Sequence, residues 1–185
     1  MRIGLDIDGV LYQWERTARY MLREVLPNSP YKDVLKQESC DWDWIKHQVS
    51  KKDWDWLWEK GIKLGLFRHG HLYPGTIEAV RELANMGDVI AVTSRPKRTA
   101  ADTFAWIAYQ RLPIVGLHIL SGAESKSTVR PVFDVFLDDR PENVQDLNDN
   151  TTCKAFLMRR PWNMGYTAPE VHSWKEFIEI VRSMR

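Results

Sequence analysis

Cysteine is nearly missing from this chain of 185 residues: only Cys40 and Cys153 occur, far apart and in no metal-ligand spacing. No signal-peptide pattern opens the chain, and no apolar run reaches membrane-spanning length, so a reducing cytoplasmic setting and no membrane partner are expected. Neither sign of charge is in excess: 26 Lys and Arg face 25 Asp and Glu, a formal net charge of +1. That balance gives no global pull toward nucleic acid or an anionic surface, so any recognition of phosphate must be local. Internal repeats and low-complexity segments are absent as well. The length leaves room for one domain with a modest insertion and a sizeable core. What the chain does have is tryptophan, nine in all, with Trp14, Trp42, Trp44, Trp54, Trp56 and Trp58 crowded into the first third.

The organising stretch is Arg2-Ile3-Gly4-Leu5-Asp6-Ile7-Asp8-Gly9-Val10-Leu11. A short apolar run of buried-strand type breaks at a glycine, with Asp6 and Asp8 where the strand should run out. Alternate residues of an extended backbone share a face, so both carboxylates project to the same side. Two acids placed so are costly unless a cation, a shared proton or a phosphate offsets them. Alone, the motif reads equally well as a strand end followed by an Asp-Gly turn.

Downstream, residues 14–26 read as a helix stopped by Pro27. Residues 31–72 are polar and tryptophan-rich with short helical patterns, such as Trp54, Leu57 and Trp58 at i, i+3, i+4, and hold no β-branched strand. The spacing predicts a helical insertion over 12–73 and a core of 1–11 with 74–185. From Tyr73-Pro74-Gly75 the pattern becomes regular: helix 76–86, strand 88–92, helix 97–111, strand 114–120 running into Ser121-Gly122, strand 133–137, a helix from 142, strand 153–158 and a last helix capped by Ser173. Nearly all-apolar strands alternating with helices predict an α/β fold, a parallel sheet of about five strands covered on both faces.

Carboxyl ends of parallel strands lie on one edge, where open α/β sheets build their sites. Here that edge collects Asp6 and Asp8, Thr93 and Ser94, and Asp138 and Asp139, with Lys126 just past the third strand. Carboxylates, a hydroxyl and a lysine form a coherent set for phosphoryl transfer. Oxygen ligands without His or Cys suit Mg²⁺, a hard cation. The lysine and hydroxyl can orient phosphoryl oxygens, leaving one aspartate free to attack phosphorus. Each piece has a plainer reading, as helix start, solvated lysine or turn and cap. Their joint placement after successive strands favours the chemistry.

The order DxDGV, strand-Thr-Ser, Lys and then Asp-Asp after a strand resembles the haloacid dehalogenase (HAD) superfamily of phosphatases, over the whole core. Within it, DGVL, TSRP, LDDRPEN, RPWN and the return through Phe67 to Tyr73-Pro74-Gly75 resemble the 5'(3')-deoxyribonucleotidase-like family. Tyr12 and Gln13 depart from the small residue and acid that usually follow DGVL there. The resemblance implies a three-layer Rossmann-like sandwich with a small helical cap after the first strand. It implies Asp6 as nucleophile and Asp8 as general acid–base. Mg²⁺ would be held by Asp6, the backbone carbonyl of Asp8 and Asp138, with Asp139 in support. Thr93, Ser94 and Lys126 would bind the phosphoryl group.

The implied substrate is a small phosphomonoester, a nucleoside monophosphate and by the resemblance a deoxyribonucleotide, with Trp14 and Phe67 as candidate walls for base or sugar. A phosphosugar, another small monoester or a nucleic-acid end is the alternative within the same chemistry, and the charge balance weighs against the last. An inactive phosphate-binding module is the alternative from another class, disfavoured because Asp6 and Asp8 are both present. Most of the other tryptophans are expected to hold the insertion together. Arg95 and Arg140 could contact substrate or tie loops, and a homodimer is left open.

Overall fold

The structure, a computed structural model, describes residues 1–36, 41, 43–120 and 124–185. The expectations on Cys40, Trp42, Ser121 and Gly122 fall outside the described residues.

Six strands form one parallel sheet in the order β3-β2-β1-β4-β5-β6. They are β1 (Arg2–Leu5), β2 (Asp88–Thr93), β3 (Gly116–Ile119), β4 (Val135–Asp138), β5 (Lys154–Met158) and β6 (Glu170–Val171). β1 lies at the centre, pairing Leu5 with Ala91 of β2 and with Leu137 of β4. Its residues Ile3 and Leu5 are fully buried, as are Val135, Phe136 and Leu137 of β4, which is why these runs are apolar on both faces. The two-residue β6 is the strand beyond those expected from the sequence; it is too short to carry an alternation signal.

Four helices cover the sheet: α4 (Thr76–Ala84), α5 (Ala100–Tyr109), α6 (Pro141–Asn150) and α7 (Trp174–Ser183). Ala79, Val80 and Leu83 of α4 and Phe177, Ile178 and Val181 of α7 join Ile3, Leu5 and Leu137 in one apolar cluster. A second cluster, with Val144 and Leu147 of α6, covers the opposite face through Phe136, Val92 and Leu157.

Between β1 and α4 the described chain adds no strand to the sheet. It holds α1 (Trp14–Tyr20), continued by a π-helical turn (Met21–Val25), then α2 (Trp44–Gln48), α3 (Lys51–Trp56) and a second π-helical turn (Leu57–Gly61). These elements close over their own apolar cluster, which includes Leu22, Leu35, Trp44, Leu57 and Leu66, with Trp54, Trp56 and Trp58 packed against it. The segment leaves and re-enters the core side by side: Gln13 N–H donates to His71 O at 2.8 Å and Tyr73 N–H to Leu11 O at 3.0 Å. Tyr12 and Gln13, the two departures noted above, serve this junction. The Tyr12 hydroxyl donates to Leu66 O at 2.5 Å, and the Gln13 amide donates to Leu72 O. Among the described residues no helix is long and apolar enough to cross a membrane.

Candidate active site

β1 ends at Leu5, and Asp6 N–H extends its ladder by one bond to Leu137 O at 2.9 Å. The chain then folds back, with Leu11 and Tyr12 N–H both donating to Ile7 O at 2.8 Å. Gly9 sits inside this turn at φ +83°, and a Cβ there would stand 1.8 Å from Asp139 Oδ2. Only glycine combines that backbone with so close an approach. The glycine of the opening motif is therefore what lets the end of β4 reach the end of β1.

At that meeting point Asp6, Asp138 and Asp139 are all buried, and each offers a carboxylate oxygen within 4.8 Å of the others. Lys126, on the short turn Lys126–Thr128, bridges two of them, with Nζ 2.5 Å from Asp6 and 2.7 Å from Asp138. Its turn is fixed by Ser125, whose hydroxyl accepts from Ser127 N–H at 3.1 Å and donates to Asp146. Asp138 also accepts from Arg140 N–H at 2.9 Å and from the Asn143 amide at 3.2 Å. Asp139 Oδ2 accepts from the Trp162 indole at 2.9 Å, while its Oδ1 is buried with no hydrogen-bond partner.

Three buried carboxylates against one ammonium leave negative charge in excess. Burial pushes Asp6 up to about 7, Asp138 and Asp8 add to the rise, and Lys126 restrains it. Burial likewise drives Asp139 well above the ordinary carboxylate range, with Asp6 and Asp138 adding to it. Burial works to lower Lys126, but Asp138 and Asp6 outweigh it and its net shift is upward. A cluster in which acids resist ionising while a lysine stays charged lacks positive charge. The donor set, all oxygen and including an unpartnered buried oxygen, fits a hard divalent cation.

Asp8 stands apart from this group of three. Its carboxylate is gripped from two sides by Arg95, Nε to Oδ2 at 2.8 Å and Nη2 to Oδ1 at 2.7 Å. Even so, Asp6, Asp8, Thr93, Ser94, Lys126, Asp138 and Asp139 all line one cavity of about 340 Å³, and Trp14 and Phe67 line it too. Thr93 is buried, its hydroxyl accepting from Arg95 N–H at 3.3 Å, whereas Ser94 is exposed to the cavity. Asp139, expected in a supporting place, contributes an oxygen to the same group as Asp6 and Asp138.

The roof of the cavity is aromatic. Trp14 and Trp58 stack at 6.1 Å between ring centres and 24° between planes; Trp54 meets both edge-on, and Trp58 leans on Phe67 at 6.0 Å. Trp54 and Trp58 thus face the cavity as well as packing their own cluster. The sequence leads one to expect most tryptophans other than Trp14 to hold the insertion together, and these two do that while also lining the cavity.

Asn143, Trp162 and Arg160 also contribute to the site, beyond the residues expected from the sequence. Asn143 follows Asp138 and Asp139 by one helical turn, a spacing that could have marked it. Trp162 and Arg160 lie in the RPWN stretch; Arg160 donates to Gly9 O at 2.6 Å and lies over the Tyr73 ring at 3.8 Å. No local pattern links residues 9 and 160, so only topology brings them together.

Comparison with known proteins agrees with this geometry. The family model for 5' nucleotidase, deoxy (pyrimidine), cytosolic type C protein matches residues 1–185. A candidate nucleotidase of Oceanobacillus iheyensis, OB0422, is 22% identical over 189 residues, spanning 97% of this chain and 98% of the relative. Among solved structures, a haloacid dehalogenase-like hydrolase of Streptococcus pneumoniae, SP0104, superposes with TM-score 0.65 at 14% identity, covering 97% of each chain. L-2-haloacid dehalogenase from Xanthobacter autotrophicus gives TM-score 0.67 at 11% identity, over 100% of this chain and 99% of its own. The magnesium-bound HAD-hydrolase YfnB of Bacillus subtilis, a candidate member, gives 0.64 at 10% identity, over 98% of each. The structural likenesses show that the fold is HAD-like, and the full-length family match shows the family: the chain belongs to the 5' nucleotidase, deoxy (pyrimidine), cytosolic type C family and is a 5'-nucleotidase-like hydrolase.

Proposed function

We propose that the protein is a Mg²⁺-dependent phosphomonoesterase of nucleoside monophosphates, deoxyribonucleotides among them, working through an aspartyl-phosphate on Asp6. The observation that supports it best is the charge imbalance at the buried trio: three carboxylates, one lysine and an orphan Asp139 oxygen. Asp6, Asp138 and Asp139 would hold the ion, with the backbone carbonyl of Asp8 added on the family pattern. When bound, Mg²⁺ supplies the missing positive charge and polarises a phosphoryl oxygen.

The remaining chemistry belongs to side chains. Asp6 attacks phosphorus, and the bond from phosphorus to the leaving nucleoside oxygen breaks. Lys126, already charged and beside Asp6, neutralises a non-bridging oxygen, and the Thr93 and Ser94 hydroxyls orient the others. Asp8 gives its proton to the leaving oxygen, then takes one from the water that attacks the phosphorus of the intermediate. Phosphate leaves and Asp6 is regenerated.

Residues 12–73 act as the cap in this reading. A core that grips phosphate alone cannot tell one monoester from another, so selectivity falls to Trp14, Phe67 and their neighbours Trp54 and Trp58 over the cavity. A panel of phosphomonoesters, assayed in chelator and with added Mg²⁺ or Ca²⁺, tests the reading. Turnover should need Mg²⁺, favour nucleoside monophosphates over sugar phosphates, and be poorly supported by Ca²⁺, which prefers more ligands at longer distances. Full activity in chelator contradicts the metal, and a phosphosugar preference moves the substrate class.

A further inference from the structure

Arg95 is buried, 3% exposed, and its guanidinium is bound on every side. Two N–H groups go to the Asp8 carboxylate at 2.7 and 2.8 Å, and Nη1 donates to Thr103 Oγ1 at 3.2 Å and Phe67 O at 3.4 Å. Its carbon lies 4.4 Å from the centre of the Tyr12 ring, 4.7 Å from Phe67 and 5.7 Å from Trp106. These contacts come from three parts of the molecule. Asp8 belongs to the turn after β1, Tyr12 and Phe67 to the two ends of the helical segment, and Thr103 and Trp106 to α5. Four donated hydrogen bonds leave a group with five N–H donors little capacity for a ligand.

From this we infer that Arg95 is a positioning residue: it fixes the plane of the Asp8 carboxylate at the cavity wall and ties that orientation to the backbone at Phe67. The inference rests on the reading of Asp8 as the group that serves the leaving oxygen. A carboxylate on a turn is free to rotate about two side-chain bonds, and a planar fork that meets both oxygens removes that freedom. An ammonium cannot do the same, because it holds a point rather than a plane. The aromatic rings fix the fork itself. Movement of the chain at Phe67 is thereby transmitted to Asp8 without any direct contact between the two.

Arg95→Lys keeps the charge and removes the fork. It should lower kcat about 10- to 100-fold on substrates with poor alkoxide leaving groups, the scale of a displaced acid–base group, and leave KM unchanged. On p-nitrophenyl phosphate, whose leaving group needs little protonation, kcat should fall less than about 3-fold. Thr103→Val removes one anchor at nearly constant volume and should give a weaker loss with the same selectivity, so the question stays answerable if Arg95→Lys does not fold. Adding either substitution to Asp8→Asn should cost little more than Asp8→Asn alone, since a residue acting through Asp8 has nothing left to position. Equal loss on both substrate types, a rise in KM with kcat intact, or full additivity with Asp8→Asn overturns the inference. Failure of the acid–base reading itself shows separately, as an Asp8→Asn variant impaired equally on good and poor leaving groups.

Discussion

Asp6 and Asp139 are buried carboxylates whose proton affinity is raised, and this has a consequence for stability. Burial, the largest cause, holds Asp6 at about 7 in the folded protein, against an ordinary value of 3.8 in the unfolded chain. Between those values the native state binds more protons than the unfolded state, so stability falls as pH rises through that window. For Asp6 alone the loss is on the order of a few kcal/mol, and Asp139 shifts in the same direction. Thermal denaturation in chelator should therefore give a lower Tm at pH 8 than at pH 5.5, and Mg²⁺ should restore most of the difference at pH 8. A flat profile in chelator would mean that the three acids share the site without strain. Part of this site was legible in the sequence at single-residue level. Asp6 and Asp8 are two apart at a strand end, and Asp138 and Asp139 end another strand. What spacing could not give is which oxygen faces which cation. Asp8 turns to Arg95 rather than to the trio, and Trp162 reaches Asp139 from 23 residues away.

At the scale of elements, α3 is capped by Ser50, whose hydroxyl accepts from Asp53 N–H at 3.2 Å, and Tyr31 crosses over to close the same end. The Tyr31 hydroxyl donates to Asp53 Oδ2 at 2.5 Å and accepts from Ser50 N–H at 2.9 Å. Tyr31→Phe removes both of these part-buried bonds and should destabilise by about 1–2 kcal/mol, the net worth of such bonds. For a chain of this length that is a Tm lower by about 2–8 °C. An unchanged Tm would show that the two bonds add nothing to the fold. Trp14 opens α1 and stacks on Trp58, so Trp14→Ala tests whether that surface receives a base. A stacking wall is worth about 1–3 kcal/mol, or roughly a 5- to 150-fold loss of kcat/KM on a nucleoside monophosphate. Glycerol phosphate, too small to reach the roof, should be spared, and a parallel fall on both substrates would make Trp14 a packing residue. Core strands were readable because burial on both faces makes them continuous apolar runs. β3 is shorter than its run: Val115, 70% exposed, donates to Val89 O but lies before the strand's first residue. The π-helical turns after α1 and α3 left no mark, since their apolar spacing is close to that of an ordinary helix.

At the scale of the whole molecule, topology joins these parts. β1 lies between β2 and β4, so residues from positions 6, 93 and 138 meet at one edge although the chain separates them widely. Fold class was legible for this reason: strand–helix alternation allows few arrangements, and parallel order puts every strand's carboxyl end on the same side. Contacts between the helical segment and the core, such as Trp106 Nε1–H to Gly70 O at 2.9 Å, had no sequence signature. In the proposed mechanism this convergence makes Asp6 a nucleophile. That role is tested most directly by quenching the enzyme in acid during turnover of a nucleoside monophosphate with Mg²⁺ and analysing the peptide that carries Asp6 by mass spectrometry. A phosphoryl group should appear on Asp6 in the native protein, with neither label nor turnover in a folded Asp6→Asn variant. An Asp6→Asn variant that keeps near-native turnover, with no label on the native peptide, would contradict that role.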